Sequence, residues 1–401
     1  MKNLFVTSLL IAFSCYLSAQ TNKVVIGTID TLNSKILNEK RTVWVYVPNH
    51  GSDNNFSKRR YPVVYLLDGG AHFYSVVGMI QQLSSVNGNT ICPEMIVVGI
   101  TNTDRTRDLT PTRDTLMERT SGGNEKFISF IEKELIPYID SQYPTEPYRM
   151  FIGHSFGGLT VINTLVHHTN LFNAYVAIDP SMWWDKQSSL KETEKALSEK
   201  NFKNVYLYLG TANTMEEGMD TLRVKKDTSR FTQQIRSGLE LNSHIKKNKQ
   251  NALNYQFKFY STDNHGSVPL IATYDALHFI FSYYTLNLTF KDFTDTTMAY
   301  PQKLVNHYKN ISEKLGYNVS SEDRINAAGY GALSRKNYSH AEYFFKVNVN
   351  NYPESSNVYD SLGDYYVAVG DKPNAIVNFT KALSIQENPD TREKLGKLQA
   401  K

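Results

Sequence analysis

One stretch constrains the fold of this chain more than any other: Arg149-Met150-Phe151-Ile152-Gly153-His154-Ser155-Phe156-Gly157-Gly158. An apolar run ends on Gly-X-Ser-X-Gly-Gly and passes directly into a helical pattern, Leu159 to His168. A strand that turns this sharply into a helix leaves no room for side chains beside the serine, so the flanking positions must be glycine. The serine hydroxyl is lifted above the strand. The first N–H groups of the helix point at it and favour negative charge there. Such a turn needs a buried parallel sheet beneath it, and the chain supplies one. Apolar runs at 61–67, 95–100, 149–153, 174–178, 205–209 and 255–260 read as strands, most of them buried on both faces. Helical patterns at 72–85, 124–140, 156–168, 188–200, 228–249 and 268–287 alternate with them, as in a right-handed, mostly parallel α/β sheet. Two earlier runs, 24–26 and 43–48, also read as strands.

The pattern changes near residue 290. No further buried strand follows, and a self-similarity appears at a period of 34: Gly329 matches Gly363, Ala341 matches Ala375, Phe345 matches Phe379 and Asn337 matches Asp371. A small residue on one helix facing an aromatic on the next is the tetratricopeptide pattern. Two repeats are fewer than usually stand alone, so they are expected to pack on the first domain or to be extended by a helix near 301–316. The expected organisation is a segment 1–19, an α/β domain over 20–290 and a helical tetratricopeptide-like region over 291–401, which offers a groove to a protein partner.

Met1-Lys2-Asn3 followed by an apolar run to Ala19 reads as a signal peptide cleaved near Ala19, too short to span a bilayer. Acylation at Cys15 is the weaker alternative, because Ala12, Phe13 and Ser14 fit a lipoprotein signal poorly. Periplasmic or secreted placement follows, with no membrane span. Cleavage leaves Cys92 as the single cysteine, which reads as a small buried hydrophobe. With 43 Lys+Arg against 39 Asp+Glu, the formal charge of +4 is too mild for a nucleic-acid binder.

A serine hydroxyl is a weak nucleophile and needs a base. Nucleophile, acid and His follow one another along the chain in this architecture, so the base lies after Ser155. His265 fits, in the loop Ser261 to Ser267 after the last strand, with Gly266 beside it. The acid is expected on the loop after strand 205–209, where Glu217 or Asp220 is preferred. Asp263 and a Ser–His dyad without an acid remain open. The oxyanion hole is expected from the Phe156 N–H and from the Gly70 N–H in Asp68-Gly69-Gly70 after the 61–67 strand. Arg105 and Arg107 are candidates to bind an anionic substrate, against a structural pairing with Asp108. Trp183 is a candidate to stack a sugar or aromatic group, against a plain core role.

Tyr61 to Gly70, Val98-Gly99-Ile100, the Arg105-Thr106-Arg107-Asp108-Leu109-Thr110-Pro111 segment, the Ser155 turn and His265-Gly266-Ser267 together resemble the putative-esterase family of α/β-hydrolases. The resemblance covers about 24–288. It implies an α/β-hydrolase fold, ester hydrolysis through an acyl-enzyme, Ser155 as nucleophile, His265 as base, and neither cofactor nor metal. The Arg-X-Arg-Asp-Leu-Thr-Pro segment looks closest to the siderophore-esterase branch. In the feruloyl-esterase branch an Asp follows Gly-Thr-X; here that position is Asn213, which weakens that assignment. The expected substrate is a small carbohydrate- or siderophore-linked ester. Acyl transfer to a sugar, or a degenerate binding module built on the repeats, are the alternatives.

Overall fold

The computed structural model describes residues 23–48, 59–114 and 120–400. The expected signal segment and Cys15 lie outside them. Eight strands form one sheet among the described residues: β1 (Thr28–Ser34), β2 (Glu39–Tyr46), β3 (Tyr61–Leu66), β4 (Ile96–Ile100), β5 (Thr145–His154), β6 (Ala174–Ile178), β7 (Tyr206–Ala212) and β8 (Asn254–Tyr260). Their order is β1-β2-β4-β3-β5-β6-β7-β8. β1 and β2 pair antiparallel, as do β2 and β4; every pairing from β4 to β8 is parallel. This is the α/β-hydrolase architecture.

The strands read as continuous apolar runs, β3, β4 and β6, are buried along their whole length. β8, an edge, alternates between exposed and half-buried residues until its last, the buried Tyr260. The first strand is a correction. Val24 and Val25 are exposed and unpaired in the sheet, while the polar Thr28–Ser34 forms β1. It is an edge strand that turns through Asn38, at φ 53°, into β2. An edge with one wet face carries little hydrophobic signal.

Helices cover both faces. On one, α1 (Gly69–Ser84) and α5 (Val268–Ile280) bury Phe73, Val77, Ile80, Ala272 and Leu277 against Val64, Ile152 and Val176. On the other, α2 (Phe156–His167) and α3 (Trp184–Glu199) pack with Phe127, Phe130 and Phe172, and α4 (Gln233–Lys247) adds Leu241 and Ile245. Cys92 is fully buried in the first layer, and that burial raises its thiol far above the usual range.

The chain passes from β4 across β3 to β5, so the strand order reverses between β3 and β5. In open α/β sheets the crevice at the carboxyl ends of such strands is where ligands bind.

Beyond residue 290 the described residues are helical: α6 (Ala299–Leu315), α7 (Glu322–Ser334), α8 (Tyr338–Asn351), α9 (Ser356–Ala368), α10 (Lys372–Ile385) and α11 (Pro389–Gln399), after a short helix at Phe290–Thr294. Ile311 and Leu315 of α6 join the core layer of α1 and α5. Arg59 reaches from the sheet domain to Asp323 of α7 at 2.8 Å. A Cβ on Gly329 would lie 2.6 Å from the Phe345 ring, and one on Gly363 would lie 2.6 Å from the Phe379 ring. Asn337 and Asp371 each cap the second helix of a pair, accepting from the His340 and Asn374 N–H groups. The matched positions of the 34-residue period therefore occupy equivalent places in two helical hairpins.

Candidate active site

Three neighbouring strands end in non-glycine residues with left-handed backbone: Asp68 after β3 (φ 52°), Ser155 after β5 (φ 60°) and Asp179 after β6 (φ 40°). Each such residue costs of order 1–3 kcal/mol, and strain of this kind gathers at functional sites. The glycines around Ser155 are sterically required. A Cβ on Gly153 would sit 2.3 Å from the Gly157 carbonyl oxygen, and one on Gly158 would sit 3.0 Å from that of Ile178. Ser155 is pinned by its N–H to the Ile178 carbonyl (3.0 Å), and its own carbonyl accepts from Leu159 (3.0 Å). Helix α2 starts at Phe156, so the Phe156 N–H is one of the first-turn donors with no acceptor inside the helix.

His265 follows β8 and lies above the same edge. Its ring centroid is 4.4 Å from that of His154, the residue before Ser155. Its Nδ1 is 2.6 Å from Asp179 Oδ2. The Asp179 side chain is 1% exposed, and its other oxygen accepts the Ala212 N–H at 3.1 Å. A carboxylate on Nδ1 fixes the tautomer with a proton there and leaves Nε2 as the free base.

The carboxylate on His265 is therefore Asp179, and the three expected candidates lie elsewhere. Glu217 is exposed. Asp220 is exposed too, and its carboxylate caps the short helix Thr221–Val224, accepting from the Leu222 and Arg223 N–H groups at 2.8 Å. Those two hydrogen bonds hold its carboxyl below the usual range. Asp263 is engaged inside its own loop by the Ser267 and Thr262 hydroxyls. Asn213, in the place of the feruloyl-branch Asp, ties two loops together: its N–H donates to the Asp263 carbonyl and its amide to that of Ser261. Asp179 closes the apolar run Ala174–Ile178, one strand earlier than the loop on which the acid is expected, and Asp179-Pro180 there looks like an ordinary turn. A buried-strand run closing on a carboxylate was the available signal.

The substrate-binding candidates divide. Arg107 donates to Glu39 through both terminal nitrogens (3.0 and 2.7 Å) and to Asp108 through Nε (2.7 Å). Arg41, 1% exposed, closes the quartet on the same two carboxylates. All three Arg107 guanidinium nitrogens are thus paired with carboxylates, and its hydrogen bonds help hold the Glu39 carboxyl low. Arg105 lies at the site but is paired: Nε and Nη2 meet Asp68 at 2.6 and 2.9 Å, and its guanidinium stands 5.5 Å from the Phe156 ring centre. Burial alone would raise the Asp68 carboxyl; Arg105 and Asn102 outweigh it and lower it. Trp183 is half-buried with its ring 6.1 Å from Phe156, and its indole N–H donates to Gln234 Oε1. The same Gln234 amide donates to the carbonyls of Asp179 (2.7 Å) and Pro180 (3.2 Å), a role no sequence signal marks.

Gly69 and Gly70 open α1. A Cβ on Gly69 would lie 2.4 Å from the Gly99 backbone, whereas space around Gly70 is open and exposed. A narrow cleft beside the turn is lined by His72, Met79, His154, Pro269 and Leu270. Burial, with His265 and His72 nearby, pushes the His154 imidazole down to about 3, so it is neutral. Among the described residues no cluster of three or more His, Cys, Asp or Glu is arranged to hold a metal ion.

The family model for Putative esterase matches residues 34–267, more than half of the chain. The chain belongs to this esterase family. Among curated relatives, it is 31% identical over 191 residues to the ferri-bacillibactin esterase of Bacillus subtilis, covering 43% of this chain and 65% of that protein. Among solved structures, an IroE-like serine hydrolase from Shewanella oneidensis aligns with TM-score 0.67 and 28% identity, over 81% of this chain and 99% of that one. An uncharacterised protein from Capnocytophaga ochracea, 20% identical, shares the fold over 94% of this esterase-family chain and all of its own, with TM-score 0.59. The esterase-family chain spans about half to two thirds of the length of the curated relatives it matches. No described helix is long and apolar enough to cross a membrane.

Proposed function

We propose that this chain is an exported serine esterase that cleaves carboxylic esters of siderophore type through an acyl-enzyme. The observation that carries the reading is the 2.6 Å contact between His265 Nδ1 and buried Asp179, on the edge that carries Ser155 in its strained turn. In this reading Nε2 of His265 takes the proton from Ser155 Oγ as that oxygen bonds to the ester carbonyl carbon. The carbonyl π pair moves to the oxygen, held by the Phe156 and Gly70 N–H groups; each such donor is worth roughly 10²–10³-fold. Collapse expels the alcohol, which receives its proton from His265. Water then repeats the cycle on the acyl-enzyme and releases the acid. The siderophore-type substrate is supported by the ferri-bacillibactin esterase relative. Trp183 and Phe156 are aromatic surfaces on which an acyl ring can lie.

The hairpins from 322 to 385, with Gly329 and Gly363 each under a phenylalanine, support two tetratricopeptide-type repeats offering a groove to a protein partner. Export is supported by the apolar run to Ala19 and is tested by N-terminal sequencing of the mature protein. The test of function is a panel of p-nitrophenyl, acetylated-sugar, feruloylated and catecholate-siderophore esters, with products separated by chromatography. Release of acid from the catecholate ester, lost in Ser155→Ala, supports the proposal; a preference for sugar esters would overturn the substrate class.

A further inference from the structure

Ser181 is a hydrogen-bonding neighbour of the nucleophile. Its Oγ lies 3.3 Å from Ser155 Oγ, and among the described residues that is the one hydrogen bond either hydroxyl makes. Ser181 is 2% exposed. Its backbone N–H donates to the Ser155 carbonyl at 3.1 Å, so the two residues are tied at backbone and side chain alike. The two residues before Ser181 are held in place by hydrogen bonds. Asp179 is held by Ala212 and His265, and the Asp179 and Pro180 carbonyls are held by Gln234. A buried hydroxyl whose single partner is the reacting oxygen is poorly placed to be mere filler, since burial of a hydroxyl without a hydrogen bond is costly.

We infer that Ser181 is a catalytic residue that donates a hydrogen bond to Ser155 Oγ. The inference rests on the serine-esterase reading above. When Ser155 gives its proton to His265 Nε2, its oxygen has no hydrogen left to donate and gains charge. The Ser181 O–H then has an acceptor, and keeps its own proton throughout. The same hydrogen bond acts at the end of the cycle. There the C–Oγ bond of the acyl-enzyme breaks, the electron pair returns to Oγ, and His265 restores its proton. Ser181 therefore assists both attack and release, and it belongs to the same five-residue segment as the acid and Trp183.

The test uses the full chain with three proteins: wild type, Ser181→Ala and Ser181→Cys, the last a near-isosteric and weaker donor. Fluorophosphonate labelling of Ser155 and burst kinetics with a p-nitrophenyl ester are measured alongside circular dichroism and thermal unfolding. A hydrogen bond to a developing charge predicts a loss of about tenfold to a hundredfold in both labelling rate and kcat for Ser181→Ala, with KM little changed. Ser181→Cys should fall between the two, and labelling of both variants should still reach completion. Rates within twofold of wild type in both folded variants overturn the inference. So does a loss in both that tracks unfolding. No labelling of wild-type Ser155 is a different result: it refutes the serine-esterase reading itself.

Discussion

Asp179→Asn is the most informative substitution. The amide has the shape of the carboxylate, so the 1%-exposed site should keep its packing. What changes is the hydrogen-bond pattern. Asp179 accepts twice, from the Ala212 N–H at 3.1 Å and from His265 Nδ1 at 2.6 Å. An asparagine has one acceptor oxygen. If it stays with the Ala212 N–H, the NH₂ faces Nδ1, which must then accept, and the ring proton moves to Nε2. The base is lost at the atom that should take the Ser155 proton. In serine proteases this change costs about 10⁴-fold in kcat. Here the His265 side chain is 41% exposed, so solvent competes for the imidazole and the lower end, about 10³-fold or roughly 4 kcal/mol at the transition state, is expected. The assay is steady-state hydrolysis of a p-nitrophenyl ester with thermal unfolding run in parallel. Glu217→Gln and Asp220→Asn should stay within about threefold of wild type. A kcat for folded Asp179→Asn within tenfold of wild type, or a larger loss at Glu217 or Asp220, would refute the assignment of the acid.

Other outcomes follow from the same geometry. Arg107→Met leaves the buried Asp108 and the half-buried Glu39 short of a partner, so it should lower stability by roughly 1–3 kcal/mol while kcat and KM of the folded enzyme hold; a rise in KM alone would return Arg107 to the binding site. Gly329→Ala brings a methyl to 2.6 Å of the Phe345 ring and should cost about 1–3 kcal/mol in thermal or urea unfolding, with ester hydrolysis per folded molecule unchanged. Unaltered unfolding would show that the helices do not approach this closely. His154 is held near 3 in the folded chain against about 6.5 when unfolded. The unfolded state therefore takes the proton first, and stability falls as pH drops below about 6.5, by at most about 1.4 kcal/mol per unit down to about 3. His154→Phe should flatten that slope in urea titrations at pH 7.5 and 5; an unchanged slope would contradict it.

Much of the fold was legible because each buried strand announces itself. β3, β4 and β6 carry no exposed side chain, so their runs are continuous and hard to misread. The Ser155 turn was legible because backbone contacts of 2.3 to 3.0 Å leave glycine as the residue that fits at 153 and 158. β1 was not, since an edge strand with a wet face has no apolar run to show. Asp179 and Ser181 were missed for a related reason. Their proposed roles rest on contacts with residues 86 and 26 positions away, and Asp-Pro-Ser after a strand is also what a plain turn looks like. Arg105 and Arg107, two residues apart, were read as a pair. The short helix Arg105–Leu109 that carries both sends one to Asp68 at the site and the other to Glu39 on β2.

The central claim is that Ser155 carries the acyl group. Rapid acid quench of enzyme with excess p-nitrophenyl ester, followed by peptide mass spectrometry, tests it directly. An acyl adduct on the peptide containing Ser155, forming within the burst and absent from Ser155→Ala, is the expected result. Steady turnover with no adduct on Ser155, or with an adduct on another residue, would contradict it.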